Sequence, residues 1–411
     1  MTDRATLRAA VDAALAAAPA TDVHTHLYPP SFRGLLLWGL DELLTYHYLV
    51  AETLRWLPLA PEDFFALGKR QQADLVWRTL FLERSPLSEA CRGVLTAIGL
   101  LGLDPAERDL DAHRRRLAGR RLEEQVDLVF RAANVELAVM TNDPFDPVER
   151  GCWLDGLRGD PRLAAALRLD RLLDWPHVWT VLVDWGYAVH AELSGESVRE
   201  VRRFLDEWAD RLSPLYLAAS LADDFAYPDG SPRGRLLDAC VLPLARERRL
   251  PVALMIGVRR GVNPLLRDAG DGMGRADVGA VARICAAHPD VRFLVTVLSR
   301  ENQHELLVAA RKFRNLLVFG CWWFLNNPGL VAETTRMRLD MLGTSFVPQH
   351  SDARVLEQVL YKWAHARETI GEVLTEQYAT LAGAGWRVTP EEIVRDARAL
   401  LGGNFRDFLG R

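Results

Sequence analysis

An α/β fold, a (β/α)8 barrel of the TIM type, is what this sequence predicts, and three observations predict it. The chain has 411 residues, room for one large barrel with an insertion. Eight short apolar runs recur along it, mostly separated by helical patterns, and runs without polar alternation suit strands buried on both faces. The first run, Thr21-Asp22-Val23-His24-Thr25-His26-Leu27, ends in two histidines two residues apart. Strand side chains alternate with period 2, so both imidazoles face one side and can reach one divalent ion. The C-terminal mouth of a barrel is where such a fold builds its active site.

The elements follow in order. The Ala-rich start is broken by Asp3, Arg4, Arg8 and Asp12, and reads as an amphipathic helix rather than a signal peptide. Strands are expected at 22–27, 135–141, 163–170, 215–220, 252–257, 291–298, 316–320 and 345–350. The gap between the first two is far longer than the others. Within it, 36–57, 61–82, 86–101 and 105–128 read as helices, so 35–130 is expected to be a helical cap over the mouth. The tail, 353–411, reads as closing helices; Pro390 with Glu391 and Glu392 marks a helix start and Gly402-Gly403 a stop. The whole of 1–411 is read as one barrel domain.

Composition excludes several classes. The 49% hydrophobic and 26% charged fractions suit a globular chain, and a net charge of -5 gives no reason to expect nucleic acid. No apolar run approaches the roughly 20 residues of a membrane span. The five cysteines are scattered, odd in number and without a CxxC, so reduced thiols and a cytoplasmic location are expected. The expected partner is a small-molecule substrate, with homo-oligomerisation left open.

The eighth run leads into His350-Ser351-Asp352-Ala353-Arg354. In a closed barrel the eighth strand neighbours the first, so Asp352 can complete a site with His24 and His26. Two imidazoles and a carboxylate suit Zn, Mn or Fe(II). His350 shares a side with Asp352, and His47 in Tyr46-His47-Tyr48 follows the first strand. These five residues could hold two ions bridged by Asp352, with Glu301, Asp143 and Asp170 as further carboxylates; His47 and His350 could equally be hydrogen-bonding neighbours of the ligands. His304 is a further candidate, although Glu301-Asn302-Gln303-His304 could simply open a helix. Arg168 and Arg354 at strand ends could grip a carboxylate or phosphate, or lock loops through salt bridges. Trp322 and Trp323, with Trp38, Trp56, Trp153, Trp175 and Trp179, suggest broad apolar walls. No Lys lies after the fourth strand and Met255 stands on the fifth, so a carbamate-bridged amide hydrolase is not expected.

An ordered series carries a resemblance: Asp22-x-His24-x-His26, His47-Tyr48, Thr141-Asn142-Asp143-Pro144, Arg168-x-Asp170, Ile256-Gly257-x-Arg259, Phe319-Gly320-x-Trp322-Trp323-Phe324 and Ser351-Asp352-x-Arg354. Over nearly the whole chain it resembles the uronate isomerase branch of the amidohydrolase superfamily. The resemblance implies a barrel of that type, metal ligation by His24, His26 and Asp352, and sugar-acid contacts near His47, Tyr48, Arg168 and Arg354. Two departures stand out: Met255 where that family carries a fifth-strand His, and an additional His350 before Ser351. With the indoles, they make the chain similar also to the amidohydrolase-fold nonheme diiron monooxygenases of platensimycin and platencin (diterpenoid) biosynthesis.

The leading expectation is therefore an oxidoreductase: two Fe ions on His24, His26, His47, His350 and Asp352, O2 and an electron donor as partners, and an apolar diterpenoid-type substrate. Arg354, Tyr48 and Asp170 would serve the chemistry; Arg168, Trp322, Trp323, Met255 and His304 would contact substrate. The alternative is an aldose–ketose isomerase of hexuronates with one Zn or Mn. A metal-dependent hydrolase and a non-catalytic ligand-binding barrel are the remaining readings.

Overall fold

The computed structural model describes residues 3–157 and 159–410. Seven of its eight apolar runs become strands, and a short strand outside them, Gly272–Met273, is added: β1 (Ala20–Thr25), β2 (Val135–Asn142), β3 (Leu163–Arg168), β4 (Leu217–Ala222), β5 (Val252–Arg259), β6 (Gly272–Met273), β7 (Phe293–Val297) and β8 (Leu316–Val318). All but β6 pair in parallel in the order β1-β2-β3-β4-β5-β7-β8, and β6 is a short antiparallel addition to β5. The central parallel strands are buried on both faces, as their unbroken apolar runs require. Val23, Val139, Ala166, Ala218, Ala253, Met255 and Leu294 pack in one cluster inside the barrel. Their neighbours, such as Leu254, Ile256, Val295 and Val297, pack outward against the helices. Phe405 and Leu409 of the last helix belong to the inner cluster and plug the end opposite the mouth.

The expected eighth strand, 345–350, forms no ladder. Its pairing with β8 is reduced to one bridge, Phe319 with Val347, held by Val347 N–H to Val318 O (3.0 Å) and Gly320 N–H to Val347 O (2.8 Å). Pro348 lacks the N–H a ladder would use next. On the other side the segment is sewn to β1 by Asp352 N–H to His24 O (3.1 Å) and His26 N–H to Ala353 O (2.8 Å). The fully buried Asp22 carboxylate reinforces this seam, accepting from Ser351 N–H (2.9 Å) and Trp363 Nε1–H (2.8 Å).

The 35–130 region is helical, in shorter pieces than the sequence pattern suggests. Its helices are Leu40–Leu44, His47–Leu54, Pro61–Ala66, Lys69–Trp77, Glu89–Leu100, Leu110–Leu117 and Leu122–Ala133, with a wide turn at Arg78–Leu82. Glu89 ties the cap to the long helix Gln358–Gly383 through Lys362 Nζ (2.8 Å), which also donates to Asn326 O (2.9 Å). In the tail, Pro390 opens helix Pro390–Arg398 under a Thr389–Glu392 capping box. Gly402-Gly403 does not end the chain's helices as expected. Gly402 takes φ 153° where a side chain would strike Thr21, and helix Asn404–Leu409 follows.

Among the described residues no helix is long and apolar enough to cross a membrane. All five cysteines are unpaired and buried.

Replacing Asp22 by Ala strands two buried donors at the seam. It should lower unfolding free energy by about 3 kcal/mol, measured by urea denaturation, whereas Asp12→Ala on the exposed first helix should change it little.

Candidate metal centre

Three ligating side chains meet where β1 and the 345–353 segment join. His24 Nε2 lies 3.5 Å, and His26 Nε2 3.3 Å, from the same Asp352 Oδ1. Among the described residues this is the one group of three or more His, Cys, Asp or Glu side chains arranged to hold an ion, with ligand atoms all within 4.8 Å of one another. Asp352 Oδ1 is buried yet makes no hydrogen bond among the described residues. A tetrahedral ion with bonds of about 2.0–2.1 Å sets its ligand atoms about 3.3 Å apart, so the spacing fits a bound divalent cation. An orphaned buried carboxylate oxygen between two imidazole nitrogens is otherwise hard to account for.

Local structure aims each ligand. Asp352 has φ 53°, a left-handed conformation that Asp tolerates better than most residues, and this turns its side chain back toward β1. Thr141 on β2 donates to Thr25 O (2.9 Å) and stands 3.3 Å from His24 Nδ1. With its hydrogen committed to Thr25, the hydroxyl accepts from Nδ1–H, which leaves His24 Nε2 free to ligate.

Burial keeps His26, His47 and His350 neutral. Desolvation, against the opposing pull of Asp352, lowers His26 to about 3. Desolvation and then Arg354 lower His47 to about 4. Desolvation and His24 lower His350 to about 3. Burial alone would raise Asp352, but the facing imidazoles hold it well below the usual carboxylate range.

Above the three ligands the pocket is walled by Tyr46 and His47 from the cap, Arg168 and Ser220 from β3 and β4, and Trp322 and Trp323 after β8; Arg260 and Arg354 complete it. Two wall atoms, His47 Nε2 and Trp323 Nε1, are buried without a hydrogen-bond partner among the described residues. They suit a polar ligand rather than an apolar one.

The structure separates the expected site residues into groups. His24, His26, Asp352, His47, Arg168, Trp322, Trp323 and Arg354 border the pocket. His350 is not in the ligand cluster: it is fully buried, 5.2 Å ring to ring from His24 and 5.5 Å from Phe319, and fits only because position 320 is glycine. His47 opens a cap helix, with its ring against Tyr46, Tyr48 and Trp323, and is likewise outside the cluster. Tyr48 packs behind it toward Phe324. Asp170 touches no ion site; it holds Arg168 (2.6 Å) and accepts from Ser220 N–H (2.7 Å). Met255 lies in the inner core, and His304 is exposed on helix Gln303–Ala310. Asp143 faces Arg171 (3.4 Å), and Glu301 is bonded to Ser299. The wide indole wall shrinks to Trp322 and Trp323, since Trp175 is core and Trp56 is 57% exposed.

Sequence reasoning missed Tyr46, Ser220 and Arg260. Tyr46 and Arg260 adjoin residues it singled out, and a one-residue helical or turn offset decides which neighbour faces inward. Arg259, the one noticed, pairs with Asp223 instead.

No family model and no curated protein matches the chain. Solved structures do. A uronate isomerase from Bacillus halodurans is 53% identical with a TM-score of 0.98, covering 100% of this chain and 98% of that one. A uronate isomerase from Thermotoga maritima (14% identity, TM-score 0.80, 98% and 97% covered) and a glucuronate isomerase from Caulobacter crescentus (15%, 0.78, 99% and 94%) share the fold. These relatives overturn the expectation of a diiron monooxygenase, and with it the oxidoreductase class.

Thr141→Val removes the acceptor that orients His24 and should weaken zinc or manganese affinity about 10- to 100-fold, measured by chelator competition. A second outcome concerns pH. Below about 6.5 the unfolded chain binds protons on His26, His47 and His350, while the folded chain resists until about 3 to 4. The unfolded state thus binds more protons, so the metal-free protein should lose stability steadily as pH falls from 6.5 toward 4. Denaturation midpoints at pH 7, 6 and 5 check this.

Proposed function

Since the chain belongs to the uronate isomerase family of the amidohydrolase-type superfamily, we propose that it is a metal-dependent aldose–ketose isomerase of hexuronates. The observation that carries the reading is the 53% identity to a uronate isomerase over the full chain. The three-ligand cluster and a pocket of basic and unpartnered polar groups support it. Such a pocket matches an anionic polyol and leaves little for an apolar skeleton.

One divalent ion, zinc or manganese, would be held by His24, His26 and Asp352, and when bound would polarise the oxygens beside the carbon that loses its proton. The rest is the work of the chain. Arg354 grips the substrate carboxylate and fixes which end of the sugar enters first. Arg168, kept in place by Asp170, supplies a second cation to the pocket. His47 Nε2 is neutral and unpartnered, so it can accept and return a proton between adjacent carbons. Arg354 is one cause of its low proton affinity. A carboxylate bound to Arg354 offsets that charge and raises the affinity of His47 for the migrating proton. Binding and proton transfer are coupled in this way. Trp322 and Trp323 limit the water that could take the proton instead.

Metal-loaded protein should convert D-glucuronate or D-galacturonate to the keturonate, followed by carbonyl-specific dichroism or product chromatography. Asp352→Ala should lower kcat at least about 1,000-fold, and Arg354→Gln should raise KM about 10- to 100-fold. Failure of the reconstituted protein on both uronates would remove the proposal.

A further inference from the structure

We propose that Asp268 is an internal competitor for the substrate: a carboxylate built into the mouth that occupies Arg354 until a uronate displaces it, and so sets substrate affinity. This rests on the reading of Arg354 as the carboxylate grip.

Asp268 Oδ2 stands 3.1 Å from Arg354 Nη1. It belongs to the turn Pro264–Gly270, between β5 and β6. That turn borders a second cavity of about 300 Å³, reaching Lys69 and Phe65 of the cap. Arg354, Tyr46 and His47 line both this cavity and the metal pocket, so Arg354 stands on the wall between them. A ligand arriving through the larger space meets Arg354 on the side where Asp268 holds it.

The other mouth arginines show what a permanent partner looks like. Arg168 is held by Asp170, which is only 17% exposed and anchored by Ser220 N–H. Arg260 is held by Asp271, 7% exposed and anchored by Gly261 N–H (2.9 Å). Asp268 has neither feature. Its side chain is 73% exposed, and Arg354 is its one hydrogen-bond partner among the described residues. Arg354 is tied down through its backbone, whose N–H donates to Gln358 Oε1 (2.8 Å). The pair therefore joins Arg354 to a loosely held anion through a single exposed contact. A substrate carboxylate can offer Arg354 two oxygens, and a bidentate grip outcompetes a single exposed one.

The test compares wild type, Asp268→Ala and Asp268→Glu, each alone and with Arg354→Gln, at low ionic strength. Galacturonate turnover gives KM and kcat. Quenching of tryptophan emission by glutarate, a plain dicarboxylate, gives binding without turnover. Asp268→Ala should lower KM and the glutarate dissociation constant roughly three- to five-fold, the scale of an exposed ion pair, with kcat within about two-fold. Asp268→Glu should restore wild-type values, and the effect should vanish with Arg354→Gln. Unchanged or weaker binding in Asp268→Ala, or an equal gain without Arg354, overturns the proposal. A wild type that binds glutarate as described but isomerises no uronate defeats the functional reading and leaves Asp268's role standing.

Discussion

The seam between β1 and the 345–353 segment is the constraint on which everything else depends. A parallel barrel normally closes by a ladder between its last and first strands. Here closure is achieved with isolated hydrogen bonds and one buried carboxylate. Asp22 reaches across 329 positions of sequence to Ser351. The metal ligands come from both sides of that join, so the stitches that close the barrel also set the distance between His26 and Asp352. Asp22 stands two residues before His24, and Ser351 one before Asp352. Little can change at the seam without moving a ligand. Arg338 supports the same region from behind: fully buried, it donates to Gly320 O (2.7 Å) where β8 ends.

Electrostatics in the mouth follows from how deeply each group is anchored. His26, His47 and His350 are stripped of water and neutral, which suits ligation and proton exchange. Each of the mouth arginines Arg168, Arg260 and Arg354 has a carboxylate beside it. Those carboxylates differ in depth, from Asp271 at 7% exposure to Asp268 at 73%. Depth decides whether a pair is scaffold or exchangeable partner, since an exposed pair is screened and weakly held.

Much of this was legible in the sequence. Period-2 spacing put His24 and His26 on one side, and barrel closure brought Asp352 to them, because both arguments use only backbone geometry. The length of the first gap announced the cap. What resisted reading was orientation. Whether Tyr46 or Tyr48, Arg259 or Arg260, faces inward depends on a turn's dihedral angles, which composition does not reveal. The monooxygenase reading failed for a related reason. It placed both Met255 and His350 at the pocket, the first as an apolar wall for substrate and the second as an extra metal ligand. Met255 lies in the inner core, and His350 is packed against Gly320 and Phe319 behind His24. Neither borders the pocket, so the identity of these two side chains carries little information about what the pocket holds. Identity spread over the whole chain does.

The cap explains why so few of its residues need to be special. It contributes Tyr46 and His47 to the pocket, yet it meets the barrel mainly through helix packing. Its placement is fixed by two polar pairs inside that packing, Glu89 with Lys362 and Gln125 with Glu357 (2.8 Å each). A buried ion pair adds little net stability once desolvation is counted, but a mispaired one is costly. Such pairs reject shifted registers of the cap more strongly than they stabilise the right one. For a proton acceptor such as His47, which has to sit within hydrogen-bond reach of a carbon-bound proton, rejecting those shifted positions matters more than added stability.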